Sequence, residues 1–396
     1  MTHVFIVNKT TFKYHLEYMF AGTGANKDDG TNKIKIGRES PFLTNPKISN
    51  NKNVVPYINS STERMLVGMI ADVSRIRKGD KIIFYLQGCE NTSGKFFGTF
   101  IADSNPFFDE NNNSNYLKRQ LLLGLSYRVL IKPDIVYPEG LTEHEFLDSL
   151  DGVQHPYDLC WSLIYRKLKG NRGCTMITDY EYADFVKKLK VKNNNRALKG
   201  PRFSFDDSNF VIINSNTKNA YKGIKNSLDI LPRLVFKYKQ NTNSAFEAHL
   251  QAYLTQNFDK PKLINLLLPY PKLNCWIGNE VSCGVGMQRI DLMLKQETKD
   301  EVAIRLIELK CVVPTKGIVT DQIPWYLDWL SYYVIPKYLY KKVRVIPTII
   351  ARGKIPLEVE KAFKSFSHPI SGVSVDPLEY IGFDVCEDDI DFTKYL

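Results

Sequence analysis

The chain has no Cys-x-x-Cys pair and no glycine-rich phosphate loop, and no apolar run approaches the roughly 18 residues that a membrane span needs. Seven cysteines are scattered from Cys89 to Cys386, and an odd number cannot all pair within one chain. This argues against a disulfide framework and a zinc knuckle, and for a reducing compartment. Gly22-Thr-Gly24 lacks both a third glycine and an adjacent Gly-Lys-Ser/Thr, so it offers no phosphate cradle. The six histidines form no His-Glu-x-x-His or His-x-x-x-His pair, which removes the common zinc-hydrolase patterns. His249 lies two residues past Glu247 and so on another helix face. No internal repeat is present. The opening Met1-Thr-His-Val-Phe-Ile-Val reads as a first strand, without the basic segment and long apolar stretch of a leader. These absences predict a soluble, cytoplasmic protein with no membrane partner.

What is present is an ordinary globular composition: 396 residues, 43% hydrophobic and 24% charged, enough for more than one domain. Lys and Arg number 53 against 43 acidic residues, a formal net charge of +10. A basic surface gains free energy by releasing counterions from phosphates, so the balance favours a polyanionic partner. Asparagine clusters at 50–51, 111–113, 193–195 and 241–243 mark loops, and the last two bracket a boundary region.

To about Leu150 the chain reads mostly as short strands, at Val4–Val7, Lys81–Tyr85, Gly94–Ile101 and Tyr127–Ile131. From Tyr157 to Lys190 the apolar spacing turns helical, and a short β-like stretch follows at 209–214. The last part mixes both types. Phe246, Leu250, Tyr253 and Leu254 make a helical stripe, and strands at 289–295 and 302–313 flank a turn at 296–301. A helix over 321–334 and a strand over 343–351 come next. The expected organisation is a first domain over 1–200, a linker over 201–240 and a second domain over 241–396.

The sharpest signal is Asp291 followed by Glu308-Leu309-Lys310. Glu308 and Lys310 share one face of a strand. If the two strands pair through the 296–301 turn, Asp291 lies opposite Leu306 or Glu308 and projects to the same side. Ile290, Leu292, Ile307 and Leu309 would occupy the other face. Two carboxylates so placed suit Mg²⁺ (or Mn²⁺), which takes one or two protein carboxylates and fills its shell with water and phosphate oxygens. Such an ion acidifies a water and stabilises pentavalent charge, while Lys310 would orient that water or counter the phosphate. Glu247 lies on the preceding helix, and Gln322 and Tyr326 are four apart on the following one, hence on one face. Each has a plainer reading: Ser244-Ala-Phe-Glu247 also matches a capping box, Gln322 fits a surface helix position, and Tyr326, Trp325 and Trp329 fit core aromatics.

In these residues the chain resembles the PD-(D/E)xK nuclease superfamily, and more narrowly its RecB-like branch. Glu247, Asp291, Glu308-Leu309-Lys310 and Gln322-Ile-Pro-Trp-Tyr326, the last in the Q-x-x-x-Y position, carry the resemblance over roughly residues 241–350. Ile290 stands where many members have Pro. The resemblance implies an α/β core with a central mixed sheet flanked by helices. It also implies metal binding by Asp291 and Glu308, water activation by Lys310, and support of the site by Glu247, Gln322 and Tyr326.

Upstream, the basic turn Val73-Ser-Arg-Ile-Arg-Lys-Gly-Asp-Lys-Ile-Ile-Phe-Tyr85 leads into a strand, and Gly94-Lys-Phe-Phe-Gly-Thr-Phe100 forms the next. Asn105-Pro-Phe-Phe108 and Tyr127-Arg-Val-Leu-Ile131 follow. This succession resembles the PUA-like group that includes the EVE and YTH domains, over roughly residues 1–190. The resemblance implies an α+β β-barrel with helices that accepts a single flipped, often methylated base by stacking and edge hydrogen bonds. Phe42, Tyr57, Phe107 and Phe108, aromatics near loops, are the candidate pocket residues, and each taken singly reads more readily as core. The two halves together imply a modification-dependent endonuclease acting on double-stranded modified DNA, working as a homodimer to cut both strands. A repair or RNA-directed nuclease and a non-catalytic modified-nucleic-acid binder are the alternatives.

Overall fold

The computed structural model describes residues 1–24, 61–88, 92–109, 116–122, 124–149, 152–163, 173–226, 246–284, 288–386 and 389–396. Phe42 and Tyr57 lie outside these residues. The chain divides into two compact units: 1–153 with 162–229, and 154–161 with 230–396. Among the described residues no helix is long and apolar enough to cross a membrane.

The first unit is a curled half-barrel sheet with helices. Its strands are β1 (Thr2–Val7), β2 (Phe20–Thr23), β3 (Lys81–Leu86), β4 (Lys95–Ala102), β5 (Phe107–Phe108), β6 (Tyr127–Pro133), β7 (Leu141–Thr142) and β8 (Cys174–Ile177). The order is β2-β6-β4-β3-β1-β8, with β5 on β6 and β7 on β4. β1 and β3 run parallel and the remaining pairs are antiparallel. Among the described residues the helices α1 (Lys9–Glu17), α2 (Ser61–Ser74), α3 (Lys118–Leu121) and α4 (Asp179–Lys192) accompany the sheet.

Local chemistry fixes the helix starts. Asn8 caps α1 by accepting the Thr11 amide at 2.9 Å. Thr178 and Glu181 form a reciprocal capping box on α4. Cys174–Ile177 falls inside the range whose apolar spacing predicts helix. It is instead a buried strand, paired antiparallel with β1, because four consecutive apolar or β-branched residues satisfy a fully covered strand as well as a helix.

Residues 201–226, expected to be linker, belong to the first unit. A hairpin of β9 (Phe203–Asp206) and β10 (Val211–Asn214) packs on α1, with Phe205 4.9 Å from Phe12 and Ser204 Oγ donating to Glu17 at 2.7 Å.

The second unit is a separate mixed sheet. Its strands are β11 (Cys275–Ser282), β12 (Arg289–Glu297), β13 (Glu301–Lys310), β14 (Lys342–Arg352), β15 (Val373–Val375), β16 (Glu379–Val385) and β17 (Ile390–Lys394). The order is β11-β12-β13-β14-β16-β17, with β15 on β14. β11, β12 and β13 form an antiparallel meander, β13 and β14 are parallel, and β17 returns antiparallel to β16. Helices α5 (Glu247–Asn257), α6 (Pro261–Leu267), α7 (Ile323–Tyr333) and α8 (Leu357–Lys364) accompany it. A single π-turn, Ile318–Gln322, runs directly into α7.

Parallel pairing demands a long crossover, which here is the chain from 311 to 341, including α7. The interior of β13, Val302 to Leu309, is buried throughout, as expected of a central strand. Buried Arg305 is fully engaged, donating to Leu267 O at 2.7 Å, to Thr348 Oγ1 at 2.6 Å and to Glu379. Residues 154–161 join this unit: Trp161 meets Trp329 edge-on at 4.9 Å, and Lys337 Nζ donates to Asp158 at 2.7 Å.

Candidate active site

The β12–β13 ladder runs from Glu297↔Val302 to Leu292↔Ile307. The next residue, Asp291, uses its side chain, and its Oδ2 accepts the Leu309 amide at 2.8 Å. Continuing the register sets Asp291 beside Glu308. By strand alternation Asp291, Glu308 and Lys310 share one face, and Ile290, Leu292, Ile307 and Leu309 the other. The face is acidic at this end, the carboxyl end of the parallel pair β13–β14, and Met293, Ile304 and Leu306 continue it as core.

Glu308 is the hub of the site and is 2% exposed. Its Oε1 accepts from Lys310 Nζ at 2.5 Å and from Gln322 Nε2 at 2.8 Å, and its Oε2 accepts from Tyr326 Oη at 2.9 Å. Tyr326 Oη also lies 2.8 Å from Arg289 O and 2.6 Å from Gln322 Nε2. Gln322 closes the π-turn and Tyr326 lies in the first turn of α7, so the four-residue spacing delivers both side chains to one carboxylate.

Glu247 is the first residue of α5, preceded by Phe246 as a cap without a side-chain hydrogen bond. It therefore does not occupy the third-residue position that a capping box requires. Its Oε1 accepts a weak bond from Cys311 Sγ at 3.8 Å, and its charge reaches Lys310.

The electrostatics are those of two carboxylates held together. Asp291 keeps some open surface. Even so, the protein density around its carboxyl, followed by the neighbouring charge of Glu308, raises its pKa well above the usual carboxylate range. Burial likewise raises Glu308, against the opposing pull of Lys310, Tyr326 and Gln322. Burial alone would lower Lys310, but the Glu308 charge and hydrogen bond outweigh it and raise it, with help from Glu247 and Asp291. Lys310 is thus an ammonium ion at neutral pH.

This donor set fits a hard divalent cation. Among the described residues no hydrogen-bond donor reaches Asp291 Oδ1, and the mutual repulsion that raises Asp291 is what a cation would relieve. No group of three or more His, Cys, Asp or Glu side chains converges among the described residues. An ion here would therefore rely on two carboxylates and complete its shell with water and phosphate oxygens, a pattern that suits Mg²⁺ better than zinc.

The structure adds residues that sequence spacing did not single out. Gln251, one turn after Glu247 on α5, donates from Nε2 to Asp291 O at 2.9 Å and to Glu280 Oε1 at 3.4 Å. It accepts from Asn279 Nδ2 at 3.2 Å. Glu280, at φ +51° near the end of β11, adds a further negative charge that raises Asp291 and pairs with Arg289 at 2.5 Å. The i, i+4 relation of Glu247 and Gln251 was a usable signal, whereas nothing local marks Glu280.

The aromatics expected to line a base pocket fare differently. Phe107 and Phe108 are core residues, 5% and 6% exposed. Phe107 packs edge-on against Tyr221 at 5.6 Å and Phe108 tilts against Tyr127 at 5.8 Å. As neighbours on β5 the two rings point to opposite sides of the strand, and both are covered, so neither offers an open stacking face. No protein-family model matches the chain, and no curated protein matches it in sequence.

Proposed function

We propose that the second unit is a Mg²⁺-dependent phosphodiester hydrolase of the PD-(D/E)xK type, RecB-like in its Gln322–Tyr326 element. The observation that carries this reading is the convergence of Asp291, Glu308 and Lys310 on one strand face with Gln322 and Tyr326 bonded to the same carboxylate. When bound, the cation supplies Lewis acidity to the phosphoryl group and acidifies a water.

The chain's own residues would then divide the work. Asp291 and Glu308 hold the cation. Tyr326 and Gln322 fix the Glu308 carboxylate in one rotamer. Lys310 presents an ammonium to a phosphate oxygen or to the attacking water, and neutralising Glu308 removes the largest influence that keeps it protonated. Glu247 and Gln251 brace the Lys310 and Asp291 side of the site.

We further propose that the first unit reads a modified base in the manner of PUA-like domains, and that the whole is a cytoplasmic, homodimeric endonuclease for modified double-stranded DNA. The curled sheet and the Lys78-Gly79-Asp80 turn into β3 support this half. The burial of Phe107 and Phe108 removes two of its four candidate pocket residues. The test is cleavage of matched plasmids, unmodified or carrying N6-methyladenine, 5-methylcytosine or 5-hydroxymethylcytosine, with Mg²⁺ and with Glu308→Ala as control. Cutting of one modified plasmid only, lost in the variant, supports both halves. Equal cutting of all plasmids retains the hydrolase and removes the reader. Cutting that survives Glu308→Ala overturns the site.

A further inference from the structure

Of the four tryptophans, Trp161, Trp276 and Trp329 are between 4% and 6% exposed, whereas Trp325 is 42% exposed. Trp325 sits between Gln322 and Tyr326, the two α7 residues bonded to Glu308. Single exposed apolar side chains are common and need no explanation. This one differs in being held rigid. Its Nε1–H donates to Cys283 O at 2.8 Å. Gly284, at φ +105°, leaves room for the ring: a Cβ there would stand 3.2 Å from the indole. The indole is thus held along its Nε1–Cζ2 edge against Cys283 and Gly284, with part of the ring exposed. Cys283 itself senses the Glu308 charge, which places this anchor within electrostatic reach of the carboxylates. Val312 and Val313, just past Lys310 on the strand exit, are exposed as well. The acidic site therefore has apolar groups both on its helix and on its strand exit.

A phosphate-binding centre flanked by an anchored, part-exposed aromatic ring has the chemistry of a base-stacking platform, where each base offers a π-face regardless of sequence. We propose that Trp325 stacks on an unpaired nucleobase of the strand whose phosphate occupies the Asp291–Glu308 site, so that the duplex is opened locally at the point of cleavage. Trp325 is a positioning residue in this scheme, and the placement of the phosphate rests on the hydrolase reading.

The test uses the full chain, Ca²⁺ in place of Mg²⁺, and a fluorescein-labelled oligothymidylate. Intrinsic tryptophan fluorescence and label anisotropy are followed together. With the other tryptophans buried, the wild-type protein is expected to lose emission on binding. Trp325→Phe should bind with similar affinity but without that quenching. Trp325→Ala should bind about tenfold more weakly, as befits the loss of one base–aromatic stack. Quenching that persists in Trp325→Phe, or unchanged affinity in Trp325→Ala, overturns the proposal. Mg²⁺-dependent cleavage of the unmodified and modified plasmids by the wild type, measured in parallel, separates the two ideas. Stacking without cleavage leaves Trp325 assigned and removes the hydrolase; cleavage without quenching does the reverse.

Discussion

Replacing Asp291 with Asn should make the protein more stable. The Asp291 carboxyl stands in dense protein beside Glu308, and both factors raise its pKa. A carboxyl that titrates above its unfolded range favours folding only while protonated. The resulting destabilisation is therefore absent below about pH 4, grows as pH rises through the folded pKa, and is fully present above it. Asn keeps an oxygen to accept the Leu309 amide, now 2.8 Å from Oδ2, and removes the charge. Relieving a crowded pair of like charges commonly yields about 0.5–2 kcal/mol. For a unit of this size that is an increase in Tm of roughly 1–8 °C.

Mg²⁺ should distinguish the two proteins. At ten times its Kd the cation stabilises the wild type by ~1.4 kcal/mol, whereas Asp291→Asn should gain little. The assay is calorimetry of full-length wild type and Asp291→Asn at pH 5 and 7.5, each with EDTA and with Mg²⁺. A variant less stable than wild type in EDTA at pH 7.5 would refute the electrostatic account. Equal Mg²⁺ shifts in both proteins would refute Asp291 as a ligand.

Lys310→Met should lower Mg²⁺-dependent cleavage by roughly 10²–10³-fold while the Mg²⁺-induced rise in Tm survives, because the carboxylates remain; single-turnover cleavage and calorimetry check the two parts. The first unit should weaken in acid. Burial pushes His3 down to about 4, against its Asp80 partner, and His15 down to about 3, so both stay neutral when folded and their contribution is lost as pH falls below 6.5. At ~1.4 kcal/mol per pH unit per histidine, the loss by pH 4.5 is on the order of 5 kcal/mol. His15→Phe should halve it, measured by urea midpoints at pH 7 and 4.5. Arg128→Met should cost about 3–5 kcal/mol in urea denaturation, because it strands the buried Asp109 carboxylate, now 2.6 Å from the guanidinium.

The sequence made the site more legible than the scaffold. Period-two alternation places Asp291, Glu308 and Lys310 on one face before any coordinates are known, and helical spacing does the same for Gln322 and Tyr326. Glu280 escaped because its role depends on a positive φ near the end of β11, which its residue type does not announce. In the first unit, β1, β3, β4 and β6 lie where β-branched and aromatic runs predict them. α1 was missed: nine residues with a threonine pair and mixed polarity carry little periodicity, and their Asn8 cap is a local signal without an apolar stripe behind it. The 203–214 hairpin read as linker because its packing partner, Phe12, lies nearly the whole unit away along the chain.

The way the second unit closes has a consequence for its biosynthesis. Gln322 and Tyr326 ride on the crossover between β13 and β14, so the parallel pairing of those strands frames their meeting with Glu308. α5 depends on a later part of the chain. Its Tyr253 is tied to Asp389, and Lys262 just beyond it holds Asp389, Ile390 and Asp391. A nascent or prematurely terminated chain that stops short of β17 carries the two carboxylates but lacks the anchor of the helix bearing Glu247 and Gln251. Anchoring of the helix that bears Glu247 and Gln251 is thereby made conditional on synthesis of the chain through β17.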